Sequence, residues 1–96
     1  MKNKEVCKEF ICRRVASGSN LISTGDKLFS YNTCIAQWYP NGVIYNETKY
    51  SSTTSRHQSY LKSAITHNIE WGKVVIIDNI NFNTRDLTSD YERVYM

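Results

Sequence analysis

The chain has one proline and four glycines in 96 residues, and three cysteines without CxxC spacing. There is no repeat and no low-complexity segment. An odd cysteine count excludes a fully paired disulfide framework. Cys7 and Cys12 stand five apart, no fourth ligand is near, and His57 and His67 lie far along the chain. This is not zinc-ligand spacing, so reduced, mostly buried thiols and no metal are expected. No apolar run is long enough to span a bilayer, and "MKNKEVCKEF" lacks the apolar core of a signal peptide. The expected location is cytoplasmic, without membrane contact. P-loop and GxGxxG motifs are absent, as is any serine elbow of the GxSxG type.

The chain does carry an ordinary globular balance, 41% hydrophobic and 22% charged, with twelve aromatics including seven tyrosines. That composition supports one small folded domain over residues 1–96. The net charge is +3 and unevenly placed. Residues 1–77 hold ten Lys/Arg against five Asp/Glu, and residues 78–96 hold two against four. The acidic C-terminal piece is a candidate cover for a basic face.

Hydrophobic spacing predicts the elements. "KNKEVCKEFICRRVASG" is an amphipathic helix with Val6, Phe10 and Val15 near helical spacing, Lys4, Lys8 and Arg13 pointing elsewhere, and Gly18 as its stop. "SGSN" and "STGD" mark a loop or two turns around Leu21 and Ile22. Two strand-like runs, Leu28–Tyr39 and Val43–Thr48, flank "PNG", which predicts a hairpin with positive φ at Asn41-Gly42. Alternation along the first run puts Tyr31, Thr33, Ile35, Gln37 and Tyr39 on one face, and Cys34, Ala36 and Trp38 on a core face.

"KYSSTTSRHQSYLKSAI" (49–65) raises three readings: a Ser/His catalytic cluster, a phosphate grip, or a helix start. Ser52 to Ser55 offer N-caps, and Ser55 with Gln58 fits a capping box. His57, Leu61, Ala64, Ile65 and Asn68 then share one helical face. "KVVIID" is expected to be a buried strand. "NTRDLTSDYERVYM" is expected to be a helix capped at Asn83 or Thr84, with Leu87, Tyr91 and Val94 inward. The order α-β-β-α-β-α gives an α+β domain with a mostly antiparallel sheet and a central hairpin packed by helices.

Catalysis is weakly supported. A hydrolase needs a nucleophile, a base and an orienting group. His57 falls on the apolar helix face and Cys34 in mid-strand, both more consistent with core positions, so a thiol or serine hydrolase is the remotest reading. Binding fits better. Arg56, Tyr60, Ser63 and His67 form a stripe at i, i+4, i+7 and i+11, beside the apolar face, and Arg and Tyr dominate interface hot spots. Lys49, Lys62, Arg13 and Arg14 extend the basic area. A strand face bearing Tyr31, Gln37 and Tyr39 is a second candidate, like the aromatic platforms that stack bases.

The stretch "SYNTCIAQW…NGVIYNETKYSSTTSRHQSYLKSAI" resembles a family of small uncharacterised proteins of phages and mobile elements. Tyr31, Thr33, Ile35 and Ala36 match its first part; Asn46, Lys49, Tyr50, Ser51, Thr53, Thr54, Ser55, His57 and Gln58 match its second. The resemblance covers about residues 30–65 and implies a hairpin followed by a helix, with no catalytic residue to carry over. Its origin leads to the expectation of a non-enzymatic phage accessory protein. Such a protein would bind a host protein or ribonucleoprotein, such as a defence nuclease, a toxin or a CRISPR complex. The mild positive charge disfavours DNA mimicry. The alternative is a stand-alone RNA- or DNA-binding regulator. No cofactor is expected, and a homodimer is left open.

Overall fold

A computed structural model describes every residue except Asn41 and Met96. The elements are α1 (Asn3–Ile11), β1 (Val15–Ser17), β2 (Leu21–Thr24), β3 (Lys27–Ser30), β4 (Thr33–Tyr39), β5 (Gly42–Asn46), α2 (Ser52–Asn68), a 3-10 turn (Trp71–Lys73), β6 (Val74–Ile77) and α3 (Thr88–Tyr95). The six strands form one sheet in chain order. All neighbours are antiparallel except β5 and β6, which run parallel because α2 crosses between them. The expected sequence of helix, strands, helix, strand, helix holds, with five strands before α2.

Both faces of the central strands are buried. Val43 and Tyr45 join Val6, Cys7, Phe10, Leu61 and Ile65 under α1 and α2. Ile44 between them joins Phe29, Cys34, Ile77, Ile80 and Leu87 under the C-terminal segment. Period-two alternation thus feeds two cores, not one core and solvent.

Helix α1 is shorter than its apolar pattern suggests. Arg13 takes φ 58°, its N–H bonds to the Phe10 carbonyl, and the Arg14 N–H bonds to that of Glu9. This is a Schellman end with arginine where glycine is usual. The chain then turns into β1, so Val15 and Gly18 leave the helix. Tyr31, also at positive φ, breaks the run Leu28–Tyr39 into β3 and β4.

A bulge corrects the expected core face of β4. Leu28 pairs with Ala36 but Phe29 with Cys34, leaving Ile35 as the extra residue. Beyond it the facing reverses. Ala36 and Trp38 pack toward α1 and α2, while Cys34 packs on the opposite side.

Other local expectations change too. Asn41 lies outside the described residues, and with it the expected positive φ at Asn41-Gly42. A Cβ at Gly42 would collide with the Lys73 carbonyl oxygen. The α2 cap is Ser51, whose Oγ accepts from the Thr54 N–H at 3.1 Å; Ser55 lies inside the helix, and Gln58 donates to the Asn46 and Thr48 carbonyls. Strand β6 is an edge strand, not a buried one, and Ile76 is exposed. Helix α3 begins at Thr88, after Asp86 Oδ1 takes the Thr88 N–H. Leu87 is fully buried and Tyr91 half-buried, but Val94 is exposed.

Candidate functional site

The "SSTTSRH" stretch resolves into a buried polar network. Ser30 Oγ lies 2.7 Å from His57 Nδ1 and 3.0 Å from Thr54 Oγ1. All three side chains are buried. Asn3 closes the other side, with Nδ2 3.3 Å from His57 Nε2. The Asn3 amide has only one orientation, because its Oδ1 accepts the Ser19 N–H and its Nδ2 donates to the Ser19 carbonyl. Nε2 must therefore accept, and the neutral ring carries its proton on Nδ1. His57 donates to Ser30. It cannot take a proton from the hydroxyl it already donates to, so the pair has the wrong polarity for a serine nucleophile. Burial, with the Arg56 charge adjacent, lowers the His57 pKa below 6.5.

Two of the three thiols are equally closed to chemistry. Burial pushes Cys7 and Cys34 up to about 12. Only Cys12 is exposed. Among the described residues, no three His, Cys, Asp or Glu side chains cluster as a metal site would require.

The sequence stripe fares differently. Tyr60, Ser63 and His67 line a groove of about 420 Å³ between α1 and α2, and Lys4 and Lys8 supply its other wall. Lys4 Nζ sits 5.6 Å from the centre of the Tyr60 ring. Neither lysine joins any ion pair found among the described residues. At 100° per residue Glu5 stands about 60° around α1 from Lys8, one turn away and without an ion pair to it, and Glu9 engages Arg14 at 3.4 Å. His67 Nδ1 donates to the Ser63 carbonyl at 2.7 Å, leaving Nε2 without a partner in the helix.

Other expected residues lie elsewhere. Arg56 is exposed one turn beyond the groove. Lys62 is on the flank of α2 away from α1, and Lys49 is in the β5–α2 loop. Arg14 is taken by Glu9. Arg13 stacks 4.3 Å from the Trp38 ring centre. The proposed strand platform is covered: Gln37 is buried, accepting the Leu87 N–H and donating to Thr88 Oγ1. Tyr39 packs 4.5 Å from Tyr91. Tyr31 is exposed at the β3–β4 turn, apart from them. The acidic C-terminal segment covers this sheet face, not the basic helical one.

Sequence reasoning missed the groove's lysines. Lys4 and Lys8 were legible as an i, i+4 pair on one flank of α1, but only the pairing of α1 with α2 turns that flank into a wall.

Fold and groove together define an α+β protein with a cationic interhelical cleft. The chain belongs to a family of unknown function, DUF8033, whose profile matches residues 2–78. The match takes in both groove helices and ends at Asp78, before α3. Neither a curated protein nor a solved structure gives a significant match. Among the described residues, no helix is long and apolar enough to cross a membrane.

Proposed function

We propose that this is a non-enzymatic accessory protein that acts by binding. In this reading the α1/α2 groove seats an acidic surface of a host defence ribonucleoprotein, and the bulk of the domain occludes it. The carrying observation is the pair Lys4 and Lys8, without ion-pair partners and facing Tyr60 and His67 across a concave seam. Unpaired cations beside an aromatic ring gain most from an anionic partner that displaces water. The anti-defence role comes from the resemblance to small phage proteins. The absence of a dense acidic surface favours a partner bearing nucleic acid over mimicry of one. The closed polarity of the Ser30–His57 pair and the buried thiols support binding over hydrolysis.

The test compares the tagged protein with its Lys4→Glu/Lys8→Glu variant as bait in infected host lysate. Retained proteins and RNAs are identified, and both baits are checked for equal melting. A ribonucleoprotein held by wild type and lost by the variant is the expected result. Identical retention by both would reject the groove as the interface.

A further inference from the structure

The groove adjoins two further cavities. At one end it shares Lys4 and Tyr60 with a second cavity of about 380 Å³ that also takes in Lys2. At the other end it shares Asn68 with a third, of about 510 Å³, that takes in Arg13, Trp38 and Lys73. The three adjoin as one seam, the first two along the α1/α2 contact and the third past its C-terminal end. Its walls carry five cations, Lys2, Lys4, Lys8, Arg13 and Lys73, against one acid, Glu70.

Two aromatic stations interrupt the cations. Tyr60 lies under Lys4. Trp38 lies under Arg13, with its Nε1 donating to the Phe10 carbonyl at 2.9 Å so that the ring is fixed. A guanidinium stacked on a locked indole presents its outer face as a second stacking surface. Arg13 holds this place in a left-handed backbone conformation, φ 58°, that glycine would adopt without strain.

Cations distributed over adjoining cavities, with aromatic faces among them, suit a chain of phosphates with bases between. An acidic peptide would use the cations and leave the stacking faces idle. We infer that the seam binds the sugar–phosphate backbone of a single RNA or DNA strand, with bases stacked at Tyr60 and on the Arg13–Trp38 pair. This rests on the groove proposed above and names what that groove touches in its partner. Glu70 is the repulsive element and limits affinity at the Lys73 end.

Fluorescence anisotropy of labelled oligouridylate and oligothymidylate, about a dozen nucleotides long, tests this on the whole chain. Wild type is expected to bind, with affinity falling as salt rises. Lys4→Glu/Lys8→Glu should weaken binding at least about tenfold and flatten the log–log salt slope by about 0.7 per lost phosphate contact. Arg13→Gly should weaken binding several-fold while the melting temperature holds, since backbone strain is relieved as the stack is lost. Glu70→Gln should tighten binding. Binding of uridylate alone, or of both oligomers, supports the inference; uridylate alone assigns RNA. No binding of either at low salt overturns it. So does equal binding of a duplex, or unchanged affinity in both Arg13→Gly and Glu70→Gln. If the oligomers fail while Lys4→Glu/Lys8→Glu still loses a lysate partner, the strand inference falls and the groove remains a protein-binding surface. If the oligomers bind but no lysate partner appears, the strand inference stands and occlusion of a ribonucleoprotein falls.

Discussion

Ser30 Oγ lies 2.7 Å from His57 Nδ1, and the bond runs from the histidine to the serine. Asn3 decides that direction from 54 residues away in sequence, by presenting a donor to Nε2. A contact that looks like the start of a catalytic relay is instead a tie joining α1, β3 and α2. Ser30 should therefore resist a serine-directed fluorophosphonate in the native protein. Labelling of Ser30 in the folded state, found by mass spectrometry, would reverse that conclusion.

The same tie makes stability depend on pH. A His57 pKa held below 6.5 means that the unfolded chain binds the proton more readily than the folded one. The contribution is complete above pH 6.5 and declines as pH falls below it toward the folded pKa. Protonation would also set two donors face to face at Asn3. Urea midpoints at about pH 7.5 and pH 5.5 should show the decline, and His57→Gln, though less stable throughout, should lose that part of it. A midpoint constant across the window in wild type would contradict the buried, neutral ring.

Capping separates Ser51 from its hydroxyl-bearing neighbours. Ser51→Ala removes the acceptor for the Thr54 N–H and should cost about 0.5–2 kcal/mol in denaturant melts. Ser55→Ala, an exposed change inside α2, should stay within about 0.5 kcal/mol. Equal losses would mean that the helix begins elsewhere.

Gly42 is constrained by space. Any side chain there meets the Lys73 carbonyl oxygen where the 3-10 turn crosses β5. Gly42→Ala should already cost about 1–3 kcal/mol, and Gly42→Val no less. A tolerated alanine would show that the crossing can open. Gly72, where an added Cβ would meet nothing within 4 Å, serves as the control.

Thiol reactivity should divide by burial. Cys12 should react with a thiol reagent in the native protein, while Cys7 and Cys34, pushed up to about 12, should react only on unfolding. Rapid native modification of all three would show that the two cores open readily.

The sequence by itself determined the α+β class, the run of elements around α2, and the inward face of that helix. These are local properties: core-facing residues recur at His57, Leu61 and Ile65 with the helical period, and β-rich residues cluster on either side of "PNG". Tertiary structure decided the rest. Where α1 stops depends on Arg13 entering a left-handed turn that no glycine announces. Which face Cys34 takes depends on a bulge at Ile35, visible only in the pairing of β3 with β4. Gln37 and Tyr39 lie on a face that alternation alone leaves open, but the C-terminal segment covers it, with Gln37 answering the Leu87 N–H. The stripe Tyr60, Ser63 and His67 was legible from spacing on one helix. The groove was not, because its second wall, Lys4 and Lys8, lies more than fifty residues earlier, and periodicity within a helix carries no information about which helix packs beside it.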